Sequence, residues 1–449
     1  MRLKVAVKNN KKIRGATRII KKLHKAGHEA VFAGGFVRDL IRKVPCEDID
    51  IATSALPDQV EKIFSKTFAV GKQFGVIVVL LDGFQYEVTT FRQEGPYKDG
   101  RRPSYVEFVN LKTDVKRRDF TINGLYFDPS KNAILDFVSG KKDIQKKIIR
   151  TIGKPENRFK EDKLRLIRAI RFASTLNYKI ESRTWAAIKK MAKQIKQVSP
   201  ERVRDEMIKI FTRNHAHYGL KLLDESGMLR FVLPEIDALK GVKQPKKYHP
   251  EGDVFVHTAL LLSKLKNPSL VVAFSGLLHD IGKPKTYSKD RQGIHFYGHA
   301  EKGAKMAEKV LKRLKFSKRE TRDIVTCVAN HMKFKDVKQM RPGRLKRYMM
   351  TDTFTDELEL HKADCVASHG KLGNYRFLKK KMSEIEKDKK RGKCPIAGHD
   401  LIQAGIKQGP HFGQLLIEIQ EAWLEGQFTN RKSGVTWLKT YLRSDSVIN

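Results

Sequence analysis

The sequence predicts a multidomain protein in which an α/β head, made of a small mixed sheet and helices, precedes a chain that is helical to its end. Helix and strand patterns alternate over about the first 129 residues. From Asp143 onward the apolar spacing is helical, with interruptions at prolines and glycines. The chain has 449 residues, 40% of them hydrophobic, which is enough for roughly two to four domains with buried cores.

The predicted elements of the head begin with a helix at Lys11–Ala26, where apolar residues recur at helical spacing. Strands, separated by charged and glycine-rich turns, are expected at Ala30–Ala33, Asp48–Ala52, Val76–Leu81, Tyr86–Thr90 and Val106–Val109. Beyond the head, breaks in the helical pattern are expected near Pro200, Pro234–Pro250, Gly392–Pro395 and Gly409–Pro410.

The charge balance predicts a polyanionic partner. The chain carries 91 Lys and Arg against 50 Asp and Glu, a formal net charge of +41. Nucleic acid is the favoured partner, and an acidic membrane surface is the weaker alternative because no basic amphipathic helix with aromatic anchors stands out. The four cysteines show no C-x-x-C spacing and no apolar run spans a bilayer, so we expect a soluble cytoplasmic protein.

The first candidate site combines Gly34-Gly35 and Arg38 with the pair Asp48 and Asp50. Glycines let backbone N–H groups approach phosphate oxygens, and a guanidinium neutralises those oxygens in a forked geometry. Two carboxylates at i and i+2 of a strand face the same side and suit a hard cation such as Mg²⁺. The alternative is a solvated turn with two surface aspartates, which the upstream glycines and arginine disfavour.

Three further stretches suit nucleotide binding. Glu87 lies in a predicted strand and is either a third acidic group near the metal or a strand-edge glutamate. The basic loop 97–103 is expected either to fold over a nucleotide or to be merely exposed. In the Arg117–Asn123 stretch, Arg118 is expected to contact phosphate, while Asp119 and Asn123 bind the sugar or brace the loop.

A basic helix follows the head. Asp162, Arg165, Arg168 and Arg171 recur at i, i+3 spacing and are expected to share one helix face. An Asp/Arg pair can read the pairing edge of cytosine or adenine, because both bases offer an amino group beside an acceptor. A surface salt-bridge ladder is the alternative.

A second metal site is predicted downstream. Histidines and aspartates fall on predicted helices, including an adjacent His-Asp pair, and such a mixed N/O set suits one or two divalent ions. The candidate ligands are His257, His279, Asp280, His299, His331 and Asp364.

Together these motifs resemble the class II tRNA nucleotidyltransferases, which include CCA-adding enzymes and the related bacterial poly(A) polymerases. The matching stretches span about residues 30 to 215. The resemblance implies Mg²⁺ at catalytic Asp48 and Asp50, and nucleotide contacts at the glycine, arginine and aspartate positions named above. It also implies a head, helical neck, helical body and RNA-binding helical tail, which we place at 1–140, 141–240, 241–375 and 376–449. Gly124 is a departure, because the family usually has alanine there.

The downstream histidines and aspartates resemble the HD-domain phosphohydrolases over about residues 250 to 370. The resemblance implies a metal of unknown identity and hydrolysis of a phosphoester, with 2′,3′-cyclic phosphates or 2′-nucleotides as plausible substrates. A retained structural metal is the competing interpretation.

The expected function is template-independent addition of C and A from CTP and ATP to the 3′ end of tRNA, with release of pyrophosphate. A poly(A) polymerase and a partial enzyme adding only C or only A are the alternatives. An RNA-binding or phosphohydrolase protein with an inactive head would need a broken Asp-x-Asp or Arg-Arg-Asp motif, and both are intact.

Overall fold

The computed structural model describes residues 10–46, 48–95, 104–389 and 393–444. The chain forms two compact units, Met1–Pro234 and Glu235–Asn449. The finer boundaries expected near residues 140 and 375 stay predictions, and the basic loop 97–103 lies outside the described residues. Among the helices that the structure describes, none is long and apolar enough to cross a membrane.

The head is built on a mixed sheet whose described strands run in the order β3-β4-β5-β2-β1-β8-β9. The pair β2–β5 is parallel and the other neighbours are antiparallel. The strands are β1 Ala30–Ala33, β2 Asp50–Thr53, β3 Thr67–Gly71, β4 Val76–Leu81, β5 Phe84–Thr90, β6 Arg92–Glu94, β7 Val106–Phe108, β8 Leu125–Asp128 and β9 Ala133–Asp136. Short pairs form between β6 and β7, between β10 Ile148–Ile149 and β11 Lys179–Ile180, and between β12 Ser288–Asp290 and β13 Gly293–His295.

The helices of the first unit are α1 Lys11–Lys25, α2 Gly35–Arg42, α3 Pro57–Ile63, α4 Leu111–Arg117, α5 Gly140–Lys146, α6 Pro155–Glu161, α7 Leu164–Leu176, α8 Ser182–Met191, α9 Pro200–Phe211, α10 Ala216–Glu225 and α11 Leu229–Val232. Helix α12, Pro234–Asp237, begins at the last residue of the first unit. Those of the second unit are α13 Val254–Lys264, α14 Leu270–Leu278, α15 His299–Arg313, α16 Lys318–Asn330, α17 Pro342–Met349, α18 Phe354–Ala367, α19 Gly373–Lys389, α20 Gly398–Gln403, α21 Pro410–Glu425 and α22 Arg431–Ser444.

The predicted fold class is confirmed: a small mixed sheet with helices precedes a helical chain. The differences have local causes. Strand β2 begins at Asp50, so Asp48 precedes the strand instead of opening it. Strands β3, β6, β8 and β9 of the head were not predicted. All four residues of β8 are buried, so it lacks the alternation that marks a half-exposed strand.

Candidate functional site

The head site forms where β1 turns into α2 at Gly34. The φ angle of Gly34 is +65°, a left-handed conformation that side chains disfavour. A Cβ at this position would lie 3.3 Å from Arg118 Nη1 and 3.6 Å from Asp50 Oδ2. The backbone conformation therefore favours glycine, and the Arg118 guanidinium would have to shift slightly to admit a Cβ.

Three carboxylates meet beside this turn. In the sheet, Asp50 is paired with Ala33 on one side and with Glu87 on the other. Burial, followed by the negative charges of Asp48 and Glu87, raises the pKa of Asp50 to about 6. Strand alternation does not align Asp48 with Asp50, since Asp48 lies outside β2, but its charge still acts on Asp50. A divalent cation would relieve this repulsion.

Arg118 is held in place by two residues that the sequence analysis missed. Its Nε donates to the Tyr126 hydroxyl at 3.1 Å and to Asp114 Oδ2 at 3.3 Å. The Tyr126 hydroxyl also donates to Asp114 Oδ2, at 2.6 Å. Burial favours the neutral acid, but the charges of Arg117 and Arg118 outweigh it and lower the pKa of Asp114 to about 2. The i, i+4 spacing of Asp114 and Arg118 at the end of α4 was the available sequence signal.

A chain of polar contacts leads from α2 to α7. Arg38 Nη1 donates to Asn123 Oδ1 at 2.8 Å, and Asn123 Nδ2 donates to Asp119 Oδ1 at 3.1 Å. Asp119 Oδ2 accepts from Arg168 Nε at 3.0 Å and from Arg168 Nη2 at 2.5 Å. The structure thus joins four of the predicted nucleotide-binding residues, and it gives Asp119 and Asn123 bracing contacts.

The chain continues into α9 through Glu206, a buried residue whose side chain is 4% exposed. Glu206 lies 3.7 Å from Arg168 Nη1 and 2.5 Å from Arg171 Nε. The guanidinium of Arg171 also stacks on Phe172, 3.7 Å from the ring centroid. Neither arginine is therefore part of an exposed salt-bridge ladder.

Asp162 does not lie on the predicted helix face. It follows α6 and precedes α7, which begins at Leu164. Its Oδ1 accepts from the Leu164 amide at 3.0 Å, so the carboxylate caps the turn, while its Oδ2 accepts from Arg202 Nη2 at 2.9 Å. The expectation of one continuous face is wrong for this residue, because the helix breaks between residues 161 and 164.

Arg165 differs from its two helical neighbours by being turned inward. It is 7% exposed. Its Nη1 donates to Glu161 at 2.7 Å and to the Arg158 carbonyl at 3.1 Å, and its Nη2 donates to the Arg117 carbonyl at 3.0 Å. Arg165 thereby ties α7 to the backbone beside Arg118.

The second predicted site comes together in the Glu235–Asn449 unit. His257 Nε2 lies 3.1 Å from Asp364 Oδ1, and His279 Nε2 lies 3.1 Å from Asp280 Oδ2. His299 Nε2 and His331 Nε2 are 3.2 Å apart. All six predicted ligands thus belong to two adjacent groups, one of His257, His279 and Asp364 and one of Asp280, His299 and His331.

The protonation of the histidines suits a metal. The Nδ1 atoms of His279, His299 and His331 lie 2.9, 2.8 and 2.6 Å from the carbonyl oxygens three residues earlier. A carbonyl only accepts, so each Nδ1 carries the proton and each Nε2 presents a lone pair. The lone pairs of His299 Nε2 and His331 Nε2 face each other across 3.2 Å and repel each other. A cation between the two nitrogens would remove this repulsion and be bound by both.

The charges of the centre agree with this assignment for His331, whereas His257 carries both ring protons near neutral pH until a metal displaces the proton on Nε2. Burial lowers the pKa of His331 to about 3, so it is neutral. Burial acts the same way on His257, but hydrogen bonds with Asp364 and Glu251 outweigh it and raise the pKa of His257 to about 9. Asp280 faces both groups: its Oδ2 lies near His279 and its Oδ1 lies 3.6 Å from His299 Nε2. These residues fit one or two divalent metals.

Three family models match the chain. They are the Poly A polymerase head domain over residues 30–150, the probable RNA and SrmB-binding site of polymerase A over 177–240, and the HD domain over 253–367. The HD match covers all six predicted ligands of the second centre.

Curated relatives and solved structures extend the likeness over the whole chain. The CCA-adding enzyme of Lactobacillus johnsonii is 33% identical over 427 residues, which cover 93% of this chain and 94% of the relative. That of Bacillus subtilis is 47% identical over 206 residues, covering 46% and 52%. The structure of the Bacillus stearothermophilus CCA-adding enzyme in complex with CTP has a TM-score of 0.74 at 28% identity and covers 97% of this chain and 98% of that one. The chain belongs to the CCA-adding enzymes, which are class II tRNA nucleotidyltransferases.

Proposed function

We propose that the head adds C and A from CTP and ATP to the 3′ end of tRNA and releases pyrophosphate, with Asp48 and Asp50 holding Mg²⁺. The proposal rests on the carboxylate cluster beside the Gly34 turn, where burial, followed by the charges of Asp48 and Glu87, raises the pKa of Asp50 to about 6. The net charge of +41 suits tRNA as partner. The four cysteines are free thiols, which suits the cytoplasm as compartment.

In this reaction the 3′-hydroxyl of the RNA attacks the α-phosphate and pyrophosphate leaves. The backbone at Gly34 and Gly35 admits the triphosphate, and Arg118 and Arg38 neutralise its oxygens. Asp119 and Asn123 brace Arg38 and Arg168, and we propose that they also hydrogen-bond the sugar. Mg²⁺ at Asp48 and Asp50 would activate the hydroxyl and stabilise the leaving phosphates.

The activity is tested with tRNAs that end before the first C, before the second C or before the terminal A. Each is incubated with CTP, ATP or both, and the products are sequenced. Completion of the CCA end and termination after it support the proposal. Addition of only C or only A would indicate a partial enzyme, and a run of A would indicate a poly(A) polymerase.

For base selection we propose Asp162 and the arginines at 165, 168 and 171. We expect Asp162→Ala to blur the choice among the four nucleotides, because the acceptor of an exocyclic amine is lost. The measurement is kcat/KM for each nucleoside triphosphate, and a drop of about 10-fold or more in discrimination is expected. Asp205→Ala is the matched control, since its side chain is 53% exposed. Unchanged selectivity would remove Asp162 from base reading.

We expect Asp114→Asn to impair both stability and addition, because it leaves the half-buried Arg118 without the carboxylate that holds it and leaves Arg117 paired with Glu94 alone. The free energy of unfolding should fall by roughly 2–4 kcal/mol, and kcat should fall because Arg118 is no longer held. Urea unfolding and single-turnover addition measure the two effects. Asp58→Asn, whose side chain is 74% exposed, serves as the control and should change neither. A stable Asp114→Asn protein with normal kcat would contradict the assignment.

For the body we propose metal-dependent hydrolysis of a phosphoester, in which the two groups of ligands would hold one or two divalent ions and Asp280 faces both groups. The facing lone pairs of His299 and His331 support this assignment. The centre would supply an activated water and neutralise the phosphoryl oxygens. Lys283, whose Nζ lies 2.7 Å from Asp280 Oδ2, adds a positive charge beside it. A structural metal remains the second candidate, which hydrolysis assays separate from the first.

A further inference from the structure

The segment before α13 closes on itself as a compact loop, here named the 241–253 loop. The Gly241 amide donates to Asp253 Oδ2 at 2.8 Å, and the Gln244 amide donates to the Gly252 carbonyl at 3.1 Å. Lys243 and Asp253 form a β-bridge across the neck of the loop. The HD-domain match begins at residue 253, so the loop precedes it.

Polar side chains of this loop point into the metal centre of the body. Glu251 Oε1 lies 2.8 Å from His257 Nδ1 and 3.0 Å from His249 Nδ1. The side chain of Glu251 is 4% exposed, and the His249 ring packs edge-on against the His257 ring at 4.8 Å. On the same loop, Gln244 Oε1 accepts from Lys283 Nζ at 2.6 Å. The carboxylate of Glu251 is therefore buried against two imidazoles and does not make a mere surface contact.

His257 needs such a partner where the other histidines do not. The other three use the carbonyl three residues earlier, but for His257 that carbonyl belongs to Val254 and accepts the Thr258 hydroxyl at 2.9 Å. A carboxylate is also a stronger acceptor than a carbonyl, so it makes the imidazole a better electron donor to a metal.

We infer that Glu251 is a positioning residue of the metal centre: it holds the Nδ1 proton of His257, so that Nε2 faces the metal beside Asp364, and His249 holds Glu251. This inference rests on the proposed metal-dependent activity of the body. A further ion held by His249, Glu251 and His257 does not fit, because a neutral imidazole has one lone pair and His257 needs it at Nε2. The 3.0 Å separation of His249 Nδ1 and Glu251 Oε1 is a hydrogen bond, and the 2.8 Å separation of His257 Nδ1 and Glu251 Oε1 is an ion-pair contact.

In the test, bound metal is first removed from the full chain and Mn²⁺ is then titrated in. The EPR signal of free Mn²⁺ measures how much of the ion is bound. All proteins carry Asp48→Asn and Asp50→Asn, which remove the carboxylates proposed for the head. In this background Glu251→Ala should weaken binding by about 10–100-fold. Glu251→Gln keeps an acceptor oxygen without the negative charge, so its Mn²⁺ affinity should lie between those of the reference protein and Glu251→Ala. Glu359→Ala, an exposed position on α18, should match the reference.

The outcomes distinguish a failure of the positioning role of Glu251 from a failure of the proposed hydrolase activity. Unchanged Mn²⁺ affinity in both Glu251 variants, in a reference protein that binds the ion, would overturn the positioning role alone. A reference protein that binds no Mn²⁺ in the body would overturn the proposed hydrolase and the positioning role together. Thermal unfolding in EDTA checks the fold. If Glu251→Ala does not fold, the Gln variant decides, and a normal affinity there counts against the inference.

Discussion

Asp50→Asn and Asp48→Ala should each abolish addition of C and A to truncated tRNA, with a loss of kcat of at least about 10³-fold. The reason is that each change removes a charged oxygen from the carboxylate cluster that we propose holds Mg²⁺, while the surface that binds RNA is untouched. Single-turnover addition measures the loss, and filter binding checks that tRNA affinity is nearly unchanged.

The control for these variants is Asp82→Asn, a head position that pairs with Arg18 and is 45% exposed at its side chain. It should add nucleotides at the normal rate. Near-normal turnover by either Asp48→Ala or Asp50→Asn would refute the metal role. A loss of tRNA affinity comparable to the loss of kcat would instead point to a damaged fold.

The same carboxylate cluster predicts that Asp50→Asn, which should abolish addition, stabilises the metal-free fold near pH 7. The pKa of Asp50 is raised from 3.8 to about 6, so the folded protein binds this proton more tightly than the unfolded chain does. The stabilisation is complete below the unfolded pKa and is lost as the pH rises through about 6. Near pH 7 the ionised group therefore destabilises the metal-free fold, by about 3 kcal/mol at most.

Asp50→Asn should consequently raise the free energy of unfolding near pH 7 without Mg²⁺, and this gain should vanish near pH 4. Urea unfolding at the two pH values, with and without Mg²⁺, measures it. A variant less stable than the parent near pH 7 in EDTA would show that the repulsion is not there.

His279→Ala and Asp280→Asn should remove hydrolysis of a phosphoester by the body and leave nucleotide addition intact. Both residues contribute to the two groups of predicted ligands, and Asp280 faces both. Bis-p-nitrophenyl phosphate and a 2′,3′-cyclic nucleotide, each with Mn²⁺, are suitable probes. We expect a loss of at least about 10²-fold.

His369→Ala, an exposed histidine of the same unit, is the matched control and should hydrolyse both probes normally. Equal hydrolysis by the parent and the two variants would disprove the proposed site. A parent that binds metal, loses thermal stability on chelation and hydrolyses neither probe would establish the structural alternative.

Sequence patterns predicted best those features that depend on residue type and order. The structure brings the six candidate ligands of the body together and brings the charges of Asp48 and Glu87 to bear on Asp50, while the roles of these residues stay predictions. The burial of Arg165 and the capping contact of Asp162 could not be predicted, since both follow from where α6 ends and α7 begins. Glu251 was missed because a single glutamate carries no pattern until folding brings it to His257, whereas Asp114 was missed although its i, i+4 spacing to Arg118 was visible in the sequence.

The row of contacts from Arg38 through Asn123 and Asp119 to Arg168 has a kinetic consequence. If Arg168 contacts the base as proposed, a mismatched nucleobase that drew it away from Asp119 would change the contacts of the Asn123 amide and of the Arg38 guanidinium, which we propose binds the triphosphate. Selection against incorrect nucleotides should then lower kcat more than it lowers binding affinity. Incorrect nucleotides would bind in a misaligned position and dissociate unreacted.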